Sequence, residues 1–101
     1  MKAITEYTEE EYIKMQAKSR ALGEAIKGFK REELFTYQRR PGYAKYDFWG
    51  TYTDKLVEAL GGRHPDAEEI IMLVDSGYSH FGASCNINAS QKAFSGYVYT
   101  D

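Results

Sequence analysis

The chain has 101 residues, among them one cysteine, two prolines, two histidines and one tryptophan, and each scarcity removes a class of explanation. Cys85 cannot close a disulfide within the chain, so no internal bridge staples the fold, and such cysteine usage fits a reducing compartment. Two prolines in a composition that is 43% hydrophobic and 28% charged leave no proline-rich or disordered tract, and the balance is that of a globular protein. Long apolar runs are missing as well. The longest, Ile70 to Val74, is strand-sized against the roughly 18–20 residues of a bilayer crossing, which excludes a helical membrane span there. The stretch Met1-Lys2-Ala3-Ile4-Thr5-Glu6 lacks the apolar segment of a secretory signal, so the expected location is the cytoplasm. The length predicts one domain, residues 1–101, with one modest core.

Patterns of catalysis and cofactor binding are scarce too. His64, His80 and Cys85 are metal-ligand or nucleophile types, but no paired Cys-x-x-Cys or His-x-x-x-His spacing is present, and strand alternation sends His80 and Cys85 to opposite faces. Neither a metal nor a cofactor is expected. Cys85 reads as a small core residue. The glycines form no phosphate-binding loop; Gly42, Gly50, Gly61, Gly62 and Gly77 read as element boundaries. Asp75, beside Ser76, Tyr78 and His80, is the best placed carboxylate for acid–base work, although Asp75-Ser76-Gly77 is also ordinary turn chemistry.

What is present divides into elements. Thr8 and Glu11 have the spacing of a capping box, and Tyr12, Met15, Ser19, Leu22, Ile26 and Phe29 recur at helical intervals, predicting an amphipathic helix of about five turns that stops at Gly28. Residues 33–39 are rich enough in aromatic and β-branched types to form a strand before the Arg39-Arg40-Pro41-Gly42 turn. The segment 43–47 admits either an extended piece or a loop. Phe48, Tyr52, Leu56, Val57 and Leu60 match a second helix begun at Asp47, Thr51 or Thr53 and ended by Gly61-Gly62. Pro65 to Glu69 opens like a helix, but the apolar run 70–74 reads as a buried strand led in by one helical turn. Alternation then predicts strands over 78–87 and 93–99 joined at Asn88-Ala89-Ser90-Gln91. The predicted fold is α+β: two helices packed on a small antiparallel sheet of about four strands, the last three a C-terminal meander, with the first helix across one sheet face.

Charge is distributed unevenly. Nine of the thirteen Lys and Arg residues fall between Lys14 and Lys45, opposed there only by Glu24, Glu32 and Glu33, so the window carries +6 while the whole chain carries −2. Within it and just beyond, cations alternate with rings: Lys30, Arg31, Tyr37, Arg39, Arg40, Tyr43, Lys45, Tyr46 and Trp49. A solvated helix face and an edge strand guarded by cations would account for this pattern. As a functional surface it points to a partner with an acidic face, a protein or nucleoprotein complex, with nucleic acid as an alternative because cations neutralise phosphates and rings stack bases. The expected function is that of a small non-enzymatic binding protein, of the inhibitor type that phages and mobile elements carry against host defence complexes. It would occlude a partner's surface through this strip. The alternatives are a nucleic-acid- or nucleotide-binding module and a small enzyme centred on Asp75 and His80.

Overall fold

The computed structural model describes residues 8–42, 45–75 and 83–98. Within them the chain runs α1 (Glu9–Ala25), α2 (Arg31–Leu34), β1 (Phe35–Pro41), β2 (Tyr46–Tyr52), α3 (Asp54–Ala59), α4 (Ala67–Val74), β3 (Ala83–Asn88) and β4 (Ala93–Val98). The strands form one antiparallel sheet in the order β1-β2-β4-β3. The α+β class and the four-stranded antiparallel sheet are as the sequence implies, with four helical segments in place of two.

Helix α1 begins as its sequence dictates: the Thr8 hydroxyl accepts from the Glu11 amide at 3.1 Å, and the Glu11 carboxylate accepts from the Thr8 amide at 3.3 Å. It ends at Ala25, with Gly28 in the left-handed region at φ +91° just beyond. Only Met15 and Leu22 of its expected stripe are buried, and Ile13 remains 57% exposed. The stripe is narrow because α1 does not lie across the sheet; it packs on α4, and α4 packs on the sheet.

Strand β1 runs on through Arg39, Arg40 and Pro41, expected as a turn, because each pairs with β2, and two further segments differ from expectation. Residues 70–74 are helical, and Ile70, Ile71, Met72, Leu73 and Val74 are all buried. A helix apolar on every side belongs inside, between the sheet and α1, and its continuous run carries no periodicity to separate it from a strand. The deciding local signal is its start: Asp66 accepts from the Glu69 amide at 2.9 Å, and Glu69 accepts from the Asp66 amide at 3.0 Å. The expected C-terminal meander therefore loses its first strand, and β2 takes the place beside β4.

Residues 46–52 are strand, with Tyr46, Phe48 and Tyr52 buried and Trp49 and Thr51 exposed, which rules out Asp47 and Thr51 as starts of the second helix and leaves the third candidate, Thr53, as the N-cap of α3. The interval of four between Phe48, Tyr52 and Leu56 satisfies a helix and a strand equally. Only Val57 and Leu60 discriminate, and they belong to α3 and its C-cap. Thr53 stands at that junction, its hydroxyl donating to the Glu33 carbonyl at 2.7 Å and its amide to the Leu34 carbonyl at 2.9 Å. The end of β2 is thereby tied to α2.

Gly50 lies inside β2, not at a boundary, opposite Tyr37 and Phe94. Gly96 lies opposite Phe48 and Cys85 in the same way. A Cβ on Gly96 would run into the Ser84 carbonyl oxygen and come within 2.8 Å of Phe48 Cζ. The absent side chain thus makes room for the Phe48 ring, which sits 6.2 Å from Phe94 and is 1% exposed. Cys85 and Ile87 pack half-buried on the same face, as the alternation predicts.

The N-terminal end of α4 is held by charge. Arg63 grips Glu69 with both terminal guanidinium nitrogens, Nη1 and Nη2, at 2.7 and 2.9 Å, and Lys18 from α1 reaches Asp66 at 2.6 Å and Glu68 at 2.8 Å. Glu69 is only 3% exposed. Burial pushes the Asp66 and Glu69 carboxyls up, but the Lys18 and Arg63 contacts and the reciprocal backbone hydrogen bonds outweigh it and hold both below their ordinary values of 3.8 and 4.5.

Ile70→Ala is expected to cost about 2–5 kcal/mol by chemical denaturation, because it opens a cavity between α4 and its neighbours. Ile13→Ala, on the open side of α1, is expected to change stability by less than about 0.5 kcal/mol. Carboxyls depressed in the folded state contribute stability above their ordinary range and lose it as pH falls through that range to the folded values. Thermal melts should therefore fall from mildly acidic pH downward. Glu69→Gln should melt lower than the parent at neutral pH and show a shallower acid slope; an unchanged slope would locate the acid sensitivity elsewhere.

Candidate binding surface

Strand alternation sorts the cations and rings between two faces. On β1, Phe35, Tyr37 and Arg39 lie on the helix side, while Thr36, Gln38 and Arg40 lie on the outer side. On β2 the helix side takes Tyr46 and Phe48, and the outer side takes Asp47 and Trp49. The sequence strip is thus not one surface.

Several members serve the fold. Arg31 donates from Nη2 to the Leu73 carbonyl, with its guanidinium 5.1 Å from the Phe35 ring centroid. The Tyr37 hydroxyl donates to the Val74 carbonyl at 3.2 Å, and its ring stacks on Phe35 at 5.9 Å. Both cap the C-terminal end of α4, where free carbonyls and the helix dipole favour donors and cations. Lys30 is the N-cap of α2, its carbonyl accepting from the Glu33 amide at 3.0 Å. Tyr43, Tyr78 and His80 lie outside the described residues.

A second group forms a basic corner. Arg39, Arg40, Lys45, Tyr46 and Asp75 line a cleft of about 640 Å³ where β1 and β2 meet the end of α4. The Arg39 guanidinium lies 4.9 Å from the Tyr46 ring centroid, and the Tyr46 hydroxyl points to Asp75 at 3.5 Å. Burial pushes the Tyr46 hydroxyl up, Asp75 adds to the shift, and Arg39 opposes it. Asp75 is the C-cap of α4, an architectural position. Three cations against one carboxylate leave the cleft net positive.

The third group is on the outer face. Arg40 lies 5.7 Å from the Trp49 ring centroid and 3.7 Å from Asp47. Trp49 is 39% exposed and Tyr97 43% exposed. Asp47 pairs with Tyr97 and Trp49 with Ser95 across β2 and β4, so the two rings stand diagonally on the central strands. Around them are Thr36, Gln38, Thr51, Ser84, Asn86, Asn88 and Ser95, and a shallow cleft of about 470 Å³ runs from Trp49 to Asn86 and Asn88. No described helix covers this face.

Tyr97 was absent from the sequence-derived set. Alternation with Phe94, Gly96 and Val98 places it opposite the apolar face, but nothing local announces that β4 pairs with β2 and brings it beside Trp49. Elsewhere, the Tyr52 hydroxyl and His64 Nδ1 share a hydrogen bond of 2.7 Å, and burial pushes the Cys85 thiol up to about 11, far from the thiolate a nucleophile needs. Among the described residues no three His, Cys, Asp or Glu side chains gather as a metal site, and no helix is long and apolar enough to cross a membrane. Comparison with protein-family models, with curated proteins and with solved structures returns no match for this chain.

Tyr37→Phe removes one donor from the end of α4 and should cost about 1 kcal/mol in denaturant unfolding. A stability within about 0.3 kcal/mol of the parent would mean that water satisfies the Val74 carbonyl instead.

Proposed function

We propose that this chain is a non-enzymatic binding protein of the inhibitor type, which occupies a partner's surface with the outer face of its sheet and the basic corner beside it. The observation that carries this reading is the pair Trp49 and Tyr97, half-exposed on the two central strands, with Arg40 over the Trp49 ring. Trp, Tyr and Arg are the residue types that dominate interface energetics, because they offer large, stiff contact area with a polar end. The surrounding Ser, Thr, Asn and Gln provide adaptable hydrogen bonds at little desolvation cost, as in paratopes.

The corner formed by Arg39, Arg40 and Lys45 sets the partner's sign: an acidic protein, or a nucleoprotein complex with an acidic face, is attracted to it. A nucleic acid would use the same rings, but the outer face itself carries one Arg and one Asp, and its cations collect at one end rather than along a track. Antagonism of a host defence complex, as practised by phage-borne proteins, suits a domain whose described residues form a recognition face of this kind.

Trp49→Ala is expected to weaken capture of the partner about 30-fold, the loss of a hot-spot anchor, with the melting temperature unchanged. Reversing Arg39 and Arg40 to Glu should slow association and flatten its salt dependence. Partner binding that survives Trp49→Ala undiminished would defeat this reading. Loss of binding only after nuclease treatment of the lysate would reassign the surface to nucleic acid.

A further inference from the structure

We propose that a second copy of this chain pairs along β3, edge to edge and antiparallel, doubling the four-stranded sheet into one continuous sheet. The sheet has two edges, and they are built differently. Edge strand β1 carries Arg39 and Arg40 and finishes in Pro41, three devices that oppose strand addition: two such edges would set like charges against each other, and proline has no amide to donate. Edge strand β3 reads Ala83-Ser84-Cys85-Asn86-Ile87-Asn88. It contains no charge, no proline and no glycine, and among the described residues no strand pairs on its far side.

Its side chains are self-complementary. Ala83, Cys85 and Ile87 face the helices, packed on the core yet only half-buried, so a strand laid alongside would extend the apolar row and cover what remains open. Ser84, Asn86 and Asn88 face outward, and hydroxyls and amides of this kind hydrogen-bond across an antiparallel pair. Neutrality favours a second copy, because an isologous contact sets each residue type against the same set and only an uncharged edge does so without repulsion. Pairing β3 with the β1 edge of another copy would instead leave an edge free at each end and grow an open filament, which Arg39, Arg40 and Pro41 block. A two-fold axis perpendicular to the sheet keeps both outer faces on one side. The assembly would thus present two Trp49 and Tyr97 pairs to a partner, although the pairing itself does not depend on what that face binds.

Light scattering on the full chain, coupled to size exclusion, tests this from about 1 to about 100 µM protein. The expected result is a mass twice that of one chain at the upper concentrations. Ser84→Lys together with Asn86→Lys, which places like charges along the edge, should return a monomer with an unchanged circular dichroism spectrum, while Arg39→Gln with Arg40→Gln should stay dimeric. Should the lysine variant fail to fold, amide hydrogen exchange of the unaltered chain gives a second reading: protection of β3 amides rises with concentration and that of β1 amides does not. A monomer throughout the range, a dimer indifferent to the lysines, or concentration-dependent protection at β1 in place of β3 overturns the proposal.

Discussion

A helix buried on every side has to satisfy both of its ends with groups brought from elsewhere, and α4 imposes that requirement on most of this structure. Its five consecutive buried residues, Ile70 to Val74, each contribute about 1.5–3 kcal/mol of apolar burial, but only while sheet and α1 close over them together. At its start, Arg63 and Lys18 neutralise Glu69, Asp66 and Glu68. At its end, Arg31 and Tyr37 donate to the Leu73 and Val74 carbonyls. Each contact fixes a different element to α4: α1 through Lys18, α2 through Arg31, β1 through Tyr37. Because the Glu69 carboxylate is enclosed, its pairing with Arg63 is obligatory; a lone charge there would cost several kcal/mol.

The same contacts engage part of the basic segment within the fold. Lys18 is paired with Asp66 and Glu68 and Arg31 is turned to the Leu73 carbonyl, and Lys14 sits beside Glu10 one helical turn away at 3.7 Å. Folding dissolves part of the charge segregation seen along the chain, because it brings the acidic start of α4 against Lys18 of α1. Arg20, Lys27 and Lys30 stay exposed, and a corner, Arg39, Arg40 and Lys45, stands beside a sheet face whose described residues are rings and neutral polar side chains apart from Arg40 and Asp47. Recognition on such a face depends on ring area and shape first and on charge second, and the corner orients the approach.

Period-two alternation gives each strand two unlike faces, and the consequence is clearest at Arg39 and Arg40. Adjacent in sequence, they stand over different rings on opposite sides of the sheet, Tyr46 and Trp49. One lies by the end of α4; the other belongs to the open face. Gly50 and Gly96 both lie on the enclosed face: Gly96 leaves room for the Phe48 ring, and Gly50 lets β2 lie close against the Thr36 carbonyl and the Tyr37 backbone, which is why a mid-strand glycine is here a packing device and not a turn.

Much of this was legible in the sequence where the physics is local. The α1 capping box, the terminating Gly61 and Gly62 with φ of +76° and +90°, the alternation of β3 and β4 and the half-buried setting of Cys85 follow from neighbours a few residues apart. So did the membership of Arg40 and Trp49 in an exposed set. Three things were decided by tertiary structure. Whether 70–74 would be helix or strand depended on being enclosed on all sides, a state in which no periodicity is written into the residues. Whether 46–52 would be helix or strand depended on partners, β1 and β4, because an interval of four fits both geometries. Which rings and cations share a face depended on strand order, since pairing β2 with β4 joins Trp49 to Tyr97 across a sequence separation that no local pattern encodes.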